Sequence, residues 1–172
     1  RPSCVSIGLC EVFGAREEAP AAFFGWMGRE GIAVLPILYD RAVLDRFADL
    51  RMRGVLADPA PRLLFVLGRY AADQESRPGH LDVFLDGLGH HGLEGHAVWS
   101  VCAFGRGETA ALAAAIGAGG HVRVGFENSL WQADGGLARD NAERVAAIAA
   151  VAARAGRSLA SAAQTRAILG IP

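Results

Sequence analysis

Five near-continuous apolar runs, separated by stretches of helical periodicity, constrain this chain more than any other feature. The runs cover residues 5–10, 32–39, 62–67, 96–104 and 121–126. Runs of that length without strict polar alternation suit strands of a parallel sheet covered on both faces. Residues 19–29, 40–52, 81–89, 108–117 and 137–156 read as helices, and 161–169 as a short last one. Ala42, Val43, Phe47 and Leu50 recur at roughly helical spacing, as do Leu81, Phe84, Leu85 and Leu88. Five βα units in series imply right-handed crossovers and one parallel sheet. An open doubly wound sheet fits that pattern. So does part of a (β/α)₈ barrel, whose full form needs about 250 residues. The chain opens almost directly on a strand-like run, with no initiator Met, as if inside a domain. That favours the barrel. The expectation is an α/β chain forming one domain over 1–172, the C-terminal portion of a TIM barrel, and supplying about its last five βα units.

Composition narrows the function classes. Lys and Arg number 17 against 18 Asp and Glu, so no nucleic-acid or polyanion surface is implied. The longest apolar runs are too short to span a bilayer, and no secretory or transit signature opens the chain. A cytoplasmic protein without a membrane partner is expected. Cys4, Cys10 and Cys102 are odd in number and sit in apolar stretches, which predicts reduced, buried thiols. Pro/Gly-rich residues 54–61 and 68–79 read as loops between elements.

Working residues of such barrels lie at the C-terminal ends of strands. Here those ends offer Cys10 and Glu11, Tyr39 and Asp40, Gly68 and Arg69, Gly105 and Arg106, and Glu127 and Asn128. Carboxylates, two arginines and an amide suit an anionic substrate and a hard or borderline metal. The segment from His121 to Trp131 is the most telling. Read as a buried strand, it puts Val122, Val124 and Phe126 on one face and His121, Arg123, Gly125 and Glu127 on the other. Glu127 is the best metal-ligand candidate; the competing reading is a carboxylate paired with a barrel arginine. Arg123 lies four residues earlier, about 13 Å along a strand, so the two are not expected to pair directly. Asn128 could hydrogen-bond a carbonyl or oxyanion, or serve ordinary turn chemistry. Arg106 sits in a Gly-x-Gly turn that could present backbone N–H groups to a phosphate, although tight βα turns need glycine anyway. His80, His90, His91, His96 and His121 fall toward the opposite face or in loops and read as structural.

Residues Gly119-Gly120-His121-Val122-Arg123-Val124-Gly125-Phe126-Glu127-Asn128, then Leu130, Asp134-Gly135, Leu137-Ala138 and Asn141-Ala142-Glu143, resemble the C-terminal part of the β-keto acid cleavage enzymes, the family named for 3-keto-5-aminohexanoate cleavage. The resemblance runs on through Ala155-Gly156-Arg157 to Gly170 and more loosely covers the rest of the chain. It implies a zinc-dependent barrel that condenses a β-keto acid with acetyl-CoA and releases acetoacetate and a new acyl-CoA. It implies zinc bound by a His-x-His pair and by the glutamate matching Glu127, and active-site roles for Arg123 and Asn128. Arg106 is the cofactor-binding candidate, and the exposed sheet edges and apolar surface of an open part-barrel predict a homo-oligomer. Two departures stand out. No His-x-His occurs in these residues, and the family often has Asp where Asn128 stands. Gly8 and Cys10 also differ from the polar residues expected at the first strand's end. Two other readings are a non-catalytic chain of the same fold and a metal-dependent aldolase or lyase that does not use CoA.

Overall fold

A computed structural model describes residues 1–14, 17–56, 58 and 60–171. It contains five strands: β1 (Cys4–Gly8), β2 (Ala33–Leu38), β3 (Arg62–Leu67), β4 (Val98–Ala103) and β5 (His121–Val122). All pair in parallel, in the order β1-β2-β3-β4-β5. A doubly wound sheet reverses its strand order at a switch point. This sheet has no reversal, so it is the arc of a (β/α)₈ barrel and not an open sheet.

The alternation within strands explains the continuous apolar runs. Leu38, Leu63, Phe65, Leu67, Val101 and Ala103 lie in the main core, under the helices. Leu64, Val66 and Cys102 form a second, smaller cluster with Ile37, Tyr39 and Phe104, on the inner face of the arc. Both faces are buried, so polar residues have no place to alternate. Phe65 stacks between Phe84, 4.5 Å away between ring centroids, and Trp99 at 5.8 Å.

Among the described residues, seven helices accompany the strands: α1 (Leu9–Val12), α2 (Glu18–Arg29), α3 (Arg41–Met52), α4 (Asp82–His90), α5 (Glu108–Gly117), α6 (Asn141–Arg154) and α7 (Ala162–Leu169). A 3₁₀ turn, Pro78–Leu81, leads into α4. Asp40 and Asp140 cap α3 and α6 by accepting from the Val43 and Glu143 backbone N–H groups. Ser161 and Gln164 form a reciprocal capping box on α7. The C-terminal tail folds back toward the start of β3, where Arg62 donates to the Leu169 carbonyl. Between that tail and the inner face lies a cavity of about 1030 Å³, lined among others by Ser6, Leu64, Ser100, His121 and Ile168.

The structure corrects three expectations about the bounds of these elements. The run 121–126 is not one strand: β5 ends at Val122, and residues 125–128 form a turn. The first strand ends at Gly8, and Cys10 lies exposed on α1. The expected helix over 137–156 begins at Asn141, because Leu137 pairs with Trp131 in an isolated antiparallel bridge.

Glycine is required where two loops meet at the C-terminal ends of β3 and β4. A Cβ at Gly107 would lie 1.8 Å from the Ser76 carbonyl oxygen, a backbone atom that cannot swing away. Gly107→Ala is therefore expected to cost about 1–3 kcal/mol, the usual range for overpacking. Urea unfolding measures this, and an unchanged midpoint would show that the two loops move apart freely.

Candidate active site

The C-terminal ends of the strands carry a band of polar and aromatic side chains. At β1 and β2, the Glu11 carboxylate lies directly over Gly8, where a Cβ would come within 1.8 Å of its oxygen. Burial pushes the neighbouring Tyr39 hydroxyl up to about 12, and the Glu11 carboxylate reinforces the shift. Tyr39 meets Tyr70 edge-on, 5.0 Å between centroids. The Arg69 guanidinium then packs on two rings, 5.6 Å from Tyr70 and 5.5 Å from Phe104. Such contacts fix a cation without neutralising it. Among the described residues Arg69 has no carboxylate within ion-pair distance.

Arg123 continues the inner face beyond β5. Its backbone N–H donates to the Val101 carbonyl, 2.8 Å, which extends the ladder one step past Val122. The chain then turns. The Asn128 and Ser129 N–H groups both return to the Gly125 carbonyl, at 2.9 and 3.2 Å, and Phe126 N–H donates to Asn141 Oδ1 at 2.8 Å. This turn overturns the expectation that Arg123 and Glu127 stand too far apart to pair. A strand would separate them by about 13 Å. The turn folds Glu127 back, and Arg123 Nη2 donates to Glu127 Oε2 at 2.7 Å. The paired-carboxylate reading of Glu127 is thus realised in this structure, with Arg123 as the arginine. Both side chains remain accessible, 44% and 66% exposed.

Asn128 is buried. Its backbone oxygen accepts from Gly105 N–H at 3.2 Å, and its side-chain Oδ1 has no partner among the described residues. Arg106 is separated from the Arg123–Glu127 pair by its choice of partner: its guanidinium lies over the Trp131 ring, 3.5 Å from the centroid. The Gly105–Gly107 turn is already engaged, since Gly107 N–H donates to Glu75 Oε2 at 3.2 Å. A phosphate at that helix start would have to displace a carboxylate.

Cys102 sits on the inner face, and burial raises its thiol to about 11, with Arg123 pulling the other way. It is protonated at neutral pH and is no nucleophile there. His91 Nε2 lies 2.6 Å from Asp45 Oδ1 between α4 and α3, and Arg77 N–H donates to His80 Nδ1 at 3.4 Å. His121 is pushed below its ordinary value of 6.5 by burial and then by Arg157. A histidine whose folded-state pKa is depressed supplies stability that is complete above its unfolded value. That contribution is lost as pH falls from there through the lowered folded value. His121→Gln should therefore flatten the fall in stability on acidification below about pH 6.5. An unchanged pH profile would show that His121 titrates normally.

Sequence reasoning missed one cluster altogether. Glu108, the first residue of α5, and Arg144, in α6, are both fully buried, and Arg144 Nη2 donates to Glu108 Oε2 at 2.5 Å. Arg144 also donates to Gln132 Oε1 at 2.9 Å and Thr109 Oγ1 at 3.1 Å. Burial pushes the Glu108 carboxyl up, while Arg144 and the Gly125 backbone N–H hold it down. A signal existed: Arg144 shares a four-residue spacing with the buried Ile148 and Ala152 on one helix face.

Fold and site together define part of a (β/α)₈ barrel with an Arg–Glu pair just beyond the C-terminal end of β5. The model of the beta-keto acid cleavage enzymes matches residues 3–171, and the chain belongs to that family. It is 31% identical over 166 residues to the 3-keto-5-aminohexanoate cleavage enzyme of Acetoanaerobium sticklandii, covering 96% of this chain and 58% of that protein. It is 36% identical over 178 residues to a 3-oxoadipate:acetyl-CoA acetyltransferase of Cupriavidus necator, covering 100% of this chain and 61% of that protein. This chain therefore spans about three-fifths of the length of these relatives. Among solved structures, apo ObcA superposes with a TM-score of 0.69 at 17% identity, over 98% of this chain and 43% of that one, a likeness of fold.

Proposed function

We propose that this chain is part of an enzyme that cleaves β-keto acids by exchange with acetyl-CoA. The balanced reaction is R–CO–CH₂–COO⁻ plus CH₃CO–SCoA giving CH₃CO–CH₂–COO⁻ plus R–CO–SCoA. One C–C bond breaks, another forms, and the thiolate passes from acetyl to the new acyl group. The observation that carries this reading is the Arg123–Glu127 pair with buried Asn128, placed at the barrel's C-terminal end within the segment of strongest resemblance.

Both substrates are anions, and the site has cationic charge to receive them. Arg69 is held on Tyr70 and Phe104, and Arg106 on Trp131, and among the described residues neither forms an ion pair with a carboxylate. In this reading Arg69 faces the β-keto acid and Arg106 the CoA side. Arg123 sets the orientation of Glu127, and the Asn128 amide hydrogen-bonds a carbonyl or enolate oxygen. An amide does not act as a base, so proton transfer falls to another group.

Zinc belongs to the family reading, but the described residues do not by themselves fit a catalytic centre. Such a site takes three protein ligands. No group of three His, Cys, Asp or Glu that could hold a metal occurs among the described residues. Glu127 would be one ligand. No helix among the described residues is long and apolar enough to cross a membrane. A CoA thioester as co-substrate goes with a cytoplasmic place of action. Phe23 and Trp26, stacked and partly exposed on α2, offer apolar surface for a homo-oligomer.

The test is a panel of β-keto acids, including 3-oxoadipate and 3-keto-5-aminohexanoate, assayed with and without acetyl-CoA. Acetyl-CoA-dependent consumption with formation of a new thioester is expected. Consumption that does not need acetyl-CoA would support an aldolase or lyase instead.

A further inference from the structure

We infer that the buried Glu108–Arg144 pair is a positioning device for the turn that carries Glu127, and not merely a staple between α5 and α6. That the held carboxylate matters to catalysis rests on the function proposed above; the holding itself does not.

A buried ion pair is a poor source of stability, because desolvating two charges offsets most of their attraction, and apolar residues of similar size often do as well. Both side chains here are fully buried, and Glu108 Oε1 and Arg144 Nε have no hydrogen-bond partner among the described residues. Stability alone is a weak reason for such a pair.

Its contacts supply another. The Gly125 backbone N–H, where the turn begins, faces the Glu108 carboxylate and helps to hold its pKa down without a hydrogen bond of ordinary geometry. Arg144 Nη1 reaches Gln132, just beyond the turn. The remaining ties come from the starts of the same two helices. Asn141, first residue of α6, accepts from Phe126 N–H, and Gly105, just before α5, donates to the Asn128 carbonyl. The turn is thus slung between the N-terminal ends of α5 and α6, and Glu108–Arg144 locks those ends together. The exposed Arg123–Glu127 bond cannot do this from above, since a solvent-exposed pair contributes about 0–1 kcal/mol. Glu108 and Arg144 act through the backbone of residues 125–128 and touch neither substrate.

The test is backbone amide hydrogen exchange in the whole chain, comparing wild type with the double variant Glu108→Met/Arg144→Met. Apolar side chains of similar length keep the helices packed, so cooperative unfolding is retained. Protection of the Phe126 and Asn128 amides is expected to fall about tenfold or more, while amides in β3 and α3 keep theirs. A folded double variant with unchanged protection at 125–128 overturns the inference. Should the double variant fail to fold, Arg144→Lys decides: it keeps the charge beside Glu108 but cannot span Gln132 and Thr109 as well. There a selective loss of about threefold at 125–128 is expected, and unchanged protection is the contrary result. A cleavage assay that failed on the wild-type protein would sink the proposed function and leave this exchange pattern standing.

Discussion

Arg144→Ala is expected to lower the unfolding free energy by about 3–5 kcal/mol, the cost of leaving one member of a buried ion pair without its partner. Three contacts disappear together: Glu108, Gln132 and Thr109. The Glu108 carboxylate would remain in a site with no exposure to water. Domains of this size are stable by about 5–15 kcal/mol, so about a fifth or more of the total would be lost. The chain's exposed pairs behave differently. Arg1–Glu30 and Arg139–Glu143 each have a member more than 60% exposed. Removing either should cost less than about 1 kcal/mol. Urea unfolding of Arg144→Ala beside Arg139→Ala separates the two cases. Similar small losses in both would mean that water reaches the buried pair.

Glu127→Gln has the opposite profile. Its partner Arg123 is accessible, so stability should change by no more than about 1 kcal/mol. Activity should fall by about 100-fold or more, the scale on which removing one preorganised electrostatic contact acts. The substitution keeps the side chain's shape and hydrogen-bonding oxygen but removes its charge. Circular dichroism of the variant, together with kcat/KM for the β-keto acid, checks both halves. A variant retaining activity within threefold of wild type would take Glu127 out of the site.

Much of the fold was legible because burial on two faces leaves a plain mark. Residues 62–67 read as a strand and form β3 over that same span, with Leu63, Phe65 and Leu67 under the helices and Leu64 and Val66 inside the arc. Residues 108–117 likewise read as a helix and are α5. What the pattern could not choose was the strand order, which depends on long-range pairing. Only the sheet itself separated a barrel arc from a doubly wound sheet.

The site was legible in place but not in geometry. The pattern puts Glu127 and Asn128 at the end of a strand over 121–126, whereas β5 ends at Val122 and both residues lie in the turn that follows. Their contacts do not follow from the pattern, because Val122, Val124 and Phe126 alternate as a strand would while the chain beyond Val122 obeys other bonds. Asn141, thirteen residues beyond Asn128, captures the Phe126 N–H and helps to bend the segment into a turn. No local rule reveals that bond. The buried Glu108–Arg144 pair was hidden for a related reason. Its members are 36 residues apart, and each alone looks like an ordinary charge near a helix start.

The most direct test of the central claim follows a label. Acetyl-CoA labelled at its acetyl carbonyl is mixed with an unlabelled β-keto acid and the purified protein. The exchange reaction predicts the label at the keto carbon of acetoacetate, with the new acyl-CoA unlabelled. Unlabelled acetyl or acetate split directly from the β-keto acid, with the labelled acetyl-CoA left intact, would contradict it.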